Sequence, residues 1–217
     1  MIIVLMGAPG AGKGTQADLL IESGKYRKIS TGDVLRKHIK MGTQIGKNAE
    51  SIIAQGKLVP DDVLLEILRQ ELGSNEKEVI ILDGYPRNVA QAKTLQSLSQ
   101  VHRVKGAVVL DVEREELIAR ISGRRVCQAC GATFHVSANP PKTQGKCDKC
   151  GGMLIQRPDD VPEKVRVRLD VFDKETKPVI DFYNQMKSLT SVSADGSKEE
   201  IYKALKKAVE SLSSGKN

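Results

Sequence analysis

The chain has 217 residues, 40% hydrophobic and 28% charged, so it can bury a sizeable core without disulfides, as ordinary soluble domains do. Three Phe, four Tyr and no Trp leave too few aromatic faces for a stacking platform that binds single-stranded nucleic acid. The 34 Lys and Arg against 27 Asp and Glu give +7, spread along the whole length, which reads as solvated surface plus residues for phosphorylated ligands.

Residues 2–6, IIVLM, form a continuous apolar run that predicts a buried first strand. The run has no basic n-region and no small-residue cleavage site, so a signal peptide is not expected. No apolar run approaches the roughly 18 residues of a membrane span. A cytosolic protein with reduced thiols and no membrane partner is the expectation. After a Gly-rich turn, residues 15–23 read as helix and 28–30 as a short strand. Helical patterns follow at 33–41 and 61–72. The stretch from about 31 to 60 holds helices with no strand between them, as a helical insertion would. Residues 79–82 (VIIL) and 104–112 are β-branched strand candidates, separated by a helix at 89–98 and followed by one at 113–121. Residues 123–160 lose helical periodicity and gain Cys, Gly and Pro, which predicts a small turn-rich unit. A single long helix is expected over 163–186, then a weaker strand at 189–193. Ser197 with Glu200 three residues on predicts a capping box for the last helix, and the tail 213–217 is expected to fray. Strands alternating with helices imply a parallel sheet covered on both faces.

The first strand runs into Gly7-Ala8-Pro9-Gly10-Ala11-Gly12-Lys13-Gly14-Thr15 and then into a helix. This is a phosphate-binding loop in its strand–loop–helix setting. Glycines let backbone N–H groups converge on an anion, the helix N-terminus adds partial positive charge, and Lys13 would reach the β- and γ-phosphates. Gly14 stands where a metal-ligating hydroxyl usually follows the lysine, and the hydroxyl belongs to Thr15. Asp83, ending the strand VIIL, is the natural carboxylate for Mg2+, acting through water.

The only cysteines are Cys127, Cys130, Cys147 and Cys150, two C-x2-C pairs sixteen residues apart. That is tetrathiolate zinc spacing, with Gly131 and Gly151 placed to permit tight turns. Disulfides and a rubredoxin-like iron site are the alternatives. Residues 123–160 carry three Arg, three Lys and three Asp, or +3, falling to about +1 with four thiolates and Zn2+. A unit this small cannot build a core, so the metal would supply its fold.

Four motifs occur in one order: Gly7 to Thr15 (GAPGAGKGT), Ser30 to Arg36 (STGDVLR), Asp83 to Arg87 (DGYPR) with Gln91, and Gly123 to Arg125 (GRR). Together they resemble the adenylate kinase family, in its bacterial long form with a zinc-binding lid. The resemblance implies a P-loop NTPase-like α/β fold, a parallel five-stranded sheet flanked by helices. It assigns residues 1–29, 60–122 and 161–217 to the core, 30–59 to a helical monophosphate-binding insertion and 123–160 to the lid. It implies the reaction of MgATP with AMP to give two ADP. No heptad stripe suggests assembly, so a monomer is expected, and the few aromatics with a near-neutral metallated lid speak against a nucleic-acid partner.

The same resemblance implies residue roles. Gly10, Ala11, Gly12, Lys13, Gly14, Thr15, Arg120, Arg124, Thr133, Phe134 and a Lys198 carbonyl would bind ATP. Thr31, Arg36, Lys57, Leu58, Val59, Gly84, Tyr85, Pro86, Arg87, Gln91, Arg157 and Arg168 would bind AMP. Lys13, Asp83, Arg87, Arg124, Arg157 and Arg168 would carry catalysis, which suits phosphoryl transfer, where positioning and charge stabilisation do most of the work. Arg120 and Arg124, four apart at the end of a helix, are expected to share one face. Thr31 and Gln91 favour adenine, since Gln offers both a donor and an acceptor. Asn88 replaces the more usual Thr, a feature shared with pyrimidine monophosphate kinases. His38, His102 and His135 show no nucleophile or triad pattern and are expected to be core or surface residues.

Overall fold

In a computed structural model, residues 1–73, 78–98 and 103–214 are described. The expectations for His102 and for residues 215–217 of the tail lie outside them. Strand β1 (Ile2–Gly7) is buried at all six positions, as an apolar run without alternation requires in a sheet covered on both sides. It lies at the centre of five strands in the order β2 (Tyr26–Ser30), β3 (Val79–Asp83), β1, β4 (Val104–Asp111) and β8 (Leu189–Ser193). Every pairing is parallel.

Side chains of β1 alternate between two cores. Ile2, Val4 and Met6 point into one, where α4 (Asp61–Leu72), α5 (Val89–Leu98) and α8 (Lys177–Gln185) bring Leu64, Ile67, Leu68, Leu95 and Tyr183. Ile3 and Leu5 point into the other, against α1 (Lys13–Glu22), α6 (Arg114–Ser122), α7 (Pro162–Val171) and α9 (Lys198–Ser214). Each fully buried Leu or Ile contributes about 1.5–3 kcal/mol, so the sheet is the rigid base on which the loops at its C-terminal edge stand.

The insertion holds α2 (Thr31–Lys40) and α3 (Gln44–Ala54) with no strand between them. Ser30 caps α2 by accepting from the Asp33 N–H at 3.3 Å, so the helix starts two residues earlier than the pattern predicted. The expected helix over 163–186 is instead α7 and α8 joined by a π turn, Phe172–Thr176. Pro178 has no N–H to offer the Lys174 carbonyl, and the wider turn carries the chain past that gap. The Ser197 capping box is formed, with the Ser197 N–H on Glu200 at 2.9 Å and the Glu200 N–H on Ser197 at 3.3 Å.

Residues after α6 form a small antiparallel sheet, β6 (Thr133–His135), β5 (Arg124–Cys127) and β7 (Leu154–Ile155), in that order. Its core is Phe134 with Cys127 and Cys147, plus Ala132 and Leu154 at the margin. The helix ends at Ser122 and Arg124 opens β5, so Arg120 and Arg124 do not share a helix face as expected. Among the described residues no helix is long and apolar enough to cross a membrane.

Candidate active site

The loop between β1 and α1 turns through Gly10, whose φ is +88°. A side chain there would place its Cβ 2.8 Å from Ile121 and 2.9 Å from the Leu117 carbonyl, so only glycine fits. Lys13 opens α1 and donates to the carbonyls of Gly7 (2.7 Å) and Ala8 (3.0 Å). Burial lowers its pKa to about 8, with Asp83 opposing the shift and Arg87, Arg168 and Arg124 adding to it. The ammonium thus faces other cations across a cleft.

That cleft has a volume of about 940 Å3. The phosphate loop, α2, the segment after α3, the end of β3, the lid sheet, α7 and the start of α9 all reach it. Of the nucleotide-contact residues expected from the sequence, all line it except Gln91. Arg87 donates from Nε to the Gly84 carbonyl at 2.7 Å. Burial, reinforced by Arg168, pulls Arg87 down to about 10. Burial, reinforced by Arg36 and Arg124, does the same to Arg157. Burial also lowers Arg168. Guanidinium groups crowded in a poorly hydrated wall repel one another, and a polyanion relieves that repulsion.

Two buried aspartates hold the wall in place. Asp160 is fully buried and accepts two bonds from Arg124, one from Nε at 2.7 Å and one from Nη2, plus Arg168 Nη1 at 3.0 Å. Asp159 takes Arg168 at 2.7 Å. Burial would lower Arg124, yet its bonds to Asp160 hold it above the usual arginine range. Asp33 accepts from Arg36 and lies 3.6 Å from Lys28 and 3.9 Å from Arg157. Burial pushes the Asp33 carboxyl up, but Arg36 and Lys28 outweigh it and hold it at about 2. Lys28 also meets Asp18 at 2.8 Å. Among the described residues, Arg157 with Asp33 and Lys40 Nζ donating to the Gln128 carbonyl at 3.2 Å span from α2 to the lid side.

Sequence reasoning missed Asp159, Asp160, Asp33, Lys28 and Gln16 as site residues. The acidic pair that follows Arg157 and Pro158, and the place of Asp33 inside the STGDVLR motif, are the local signals that could have found some of them. His135 lines the cleft too, with Nδ1 accepting the N–H groups of Ser137 (3.1 Å) and Ala138 (3.0 Å). Asp83 and Asp33 line the same cleft, and carboxylate oxygens are the hard donors that Mg2+ takes.

The four cysteine sulfurs all lie within 4.8 Å of one another. Cys127 and Cys150 are 3.5 Å apart, Cys130 and Cys147 3.6 Å, far beyond a disulfide bond of about 2.05 Å. Four sulfurs around one zinc at about 2.3 Å would sit roughly 3.8 Å from each other, so the donor set fits that ion. The two knuckles are built alike. Gly131 (φ +76°) donates to the Cys127 carbonyl and Gly151 (φ +73°) to the Cys147 carbonyl.

Comparison with known proteins agrees with this geometry. The family profile described as adenylate kinase matches residues 5–188. The chain belongs to the adenylate kinase family. Curated adenylate kinases resemble it nearly end to end. That of Thermodesulfovibrio yellowstonii is 47% identical over 208 residues, covering 94% of this chain and 97% of the relative. That of Caldanaerobacter subterraneus subsp. tengcongensis is 44% identical over 212 residues, 96% of each. That of Syntrophobacter fumaroxidans is 46% identical over 207 residues, 93% of this chain and 96% of the relative.

In this adenylate kinase family member the residues expected around adenine separate. Thr31 lines the cleft, and its hydroxyl is buried with no hydrogen-bond partner. Gln91 is buried away from the cleft wall, its Nε2 donating to Asp61 at 2.5 Å and its Oε1 accepting the Arg87 N–H at 2.7 Å. It therefore fixes the backbone of Arg87, whose side chain lines the cleft. Asn88 accepts the Gln91 N–H at 2.8 Å, a helix-capping bond that Asn makes as well as Thr.

Proposed function

We propose that the chain transfers the terminal phosphoryl group of MgATP to AMP and forms two ADP. The observation that carries this reading is the cleft wall, where Lys13, Arg36, Arg87, Arg124, Arg157 and Arg168 face one cavity. An ionised oxygen of the AMP phosphate attacks the γ-phosphorus, and the bond to the bridging β,γ-oxygen breaks to release ADP. The attacking oxygen is already an anion, so no general base is required. Lys13 and the phosphate loop cradle the donor phosphates, with Gly10, Ala11, Gly12, Gly14 and Thr15 supplying backbone N–H groups. Arg120, Arg124, Thr133, Phe134 and the Lys198 carbonyl complete the ATP side. Arg36 and Arg87 hold the AMP phosphate, while Thr31, Lys57, Leu58, Val59, Gly84, Tyr85, Pro86 and Gln91 enclose or support the rest of AMP. Arg157 and Arg168 bridge to the transferring group, where planar, permanently charged donors stabilise spread-out negative charge.

Magnesium, when bound with ATP, neutralises phosphate charge, and Asp83 with Asp33 would hold it. Zinc would sit among Cys127, Cys130, Cys147 and Cys150, where four protein ligands leave no open position and make it structural. Residues 30–59 and 123–160 act as the two closing units that exclude water. The protein works as a cytoplasmic monomer without nucleic-acid or membrane partners. A coupled assay of ADP formation from ATP and Mg2+ with AMP, CMP or UMP tests the reading. AMP should be strongly preferred. Transfer to none of the three overturns the assignment, and preference for CMP or UMP moves it to the pyrimidine kinases.

A further inference from the structure

Lys28 stands on β2, at the edge of the sheet, and lines the cleft with a side chain only 13% exposed. Its Nζ donates to Asp18 Oδ1 at 2.8 Å and lies 3.6 Å from Asp33 Oδ2. The phosphate loop is close by, since a Cβ at Gly14 would come within 4.0 Å of the same ammonium. Asp33 Oδ1 accepts from Arg36, so each oxygen of this carboxylate faces a cation. Asp18, Asp33 and Asp83 line the same cleft. Phosphoryl transfer as read above uses neither Lys28 nor Asp18. An ammonium is a compact point charge, felt by its neighbours as plain potential. A carboxylate that already faces cations attracts a further one less, and divalent affinity grows with the negative charge left unopposed.

We propose that Lys28 tunes the hold of the cleft on the divalent cation that accompanies the donor nucleotide, by competing with that cation for Asp33. This rests on the reading of the cleft as a site for MgATP. The metal enters with ATP and leaves with ADP, so a cluster of unopposed carboxylates would retain it. Lys28 supplies a resident positive charge that weakens this retention, and Asp18 tethers the charge and balances part of it.

The test measures Mn2+ binding to the complex with β,γ-methylene-ATP, by electron paramagnetic resonance, in wild type, Lys28→Met, Lys28→Arg and Asp18→Asn. Lys28→Met should bind Mn2+ about tenfold more tightly, the scale of one partly screened charge. Lys28→Arg keeps the charge and should stay near wild type. Asp18→Asn breaks the same 2.8 Å contact but leaves the ammonium less balanced, so it should bind Mn2+ more weakly. The opposite signs are decisive, because a residue that merely braced α1 against α2 would shift both variants the same way. Unchanged Mn2+ affinity in folded Lys28→Met overturns the proposal, and so does a shift of equal sign in Lys28→Met and Asp18→Asn. Lys28→Gln serves if the methionine variant does not fold. A wild type that holds Mn2+ with the nucleotide analogue yet transfers nothing from ATP would overturn the transfer reading and leave this inference standing.

Discussion

Replacing Asp160 by Ala removes the carboxylate on which two arginines of the cleft converge. The two do not lose equally. Arg168 keeps Asp159 at 2.7 Å, whereas among the described residues Arg124 has no other carboxylate within ion-pair distance. Truncating one partner of a buried pair strands the other charge and costs about 3–5 kcal/mol. The Arg124 side chain is 19% exposed, so water replaces part of what is lost. The low end, about 3 kcal/mol, is therefore expected. At about 2–4 °C per kcal/mol for a chain of this size, the melting midpoint should fall by about 6–12 °C. Asp160→Asn keeps the shape and one acceptor and should lose about half as much. Urea titration followed by circular dichroism gives the stability, and steady-state kinetics gives KM for ATP, which should rise as Arg124 loses its aim. A loss below about 1 kcal/mol in Asp160→Ala, with KM for ATP unchanged, would show that the β5 backbone holds Arg124 without help from Asp160.

Three further outcomes are expected. Cys130→Ser should strip the bound zinc and lower the melting temperature while leaving ATP binding at the phosphate loop largely intact; unchanged zinc content and melting would refute the metal-built lid. Lys13 is held at about 8, against 10.5 when unfolded, so between those values the unfolded chain binds the extra proton and stability rises with pH. The free protein loses its phosphate-facing ammonium over the same range, so KM for ATP should climb above about pH 8 by up to tenfold per pH unit, and a flat profile to about pH 9.5 would refute this. Gly10→Ala should cost about 2–4 kcal/mol, from the left-handed φ plus the clash with Ile121, and thermal melting that shows no loss would refute the steric argument.

The parts of the site that were legible in the sequence are those written into a short stretch of chain. The phosphate loop joins a strand to a helix within nine residues, Gly7 to Thr15, and each C-x2-C knuckle closes on its own glycine. Strands β1, β3 and β4 could be read because a buried parallel strand leaves an unbroken β-branched run. The π turn could not be read, because the apolar stripe of Val165, Leu169 and Val179 continues across it and only Pro178 hints at the break. The pairings of Asp160 with Arg124 and Arg168, of Lys28 with Asp18 and Asp33, and of Gln16 with Lys198 join residues from different elements. No spacing rule encodes such meetings, which the packing of the sheet brings about. Gln91 shows the same limit from the other side: its motif position suggested a ligand contact, and its burial turned both ends of its amide toward the protein.

The link from Lys40 to Gln128 is exposed, and that from Arg157 to Asp33 is long, at 3.9 Å, from a guanidinium only 14% exposed. The exposed one is worth less than about 1 kcal/mol. In the proposed closure of residues 30–59 against 123–160, these links would act as a light catch across the doorway, tilting the balance between shut and ajar without locking it. Nucleotides would come and go by thermal breakage of that catch, and a single charge change at Lys40 should alter how often the door stands open.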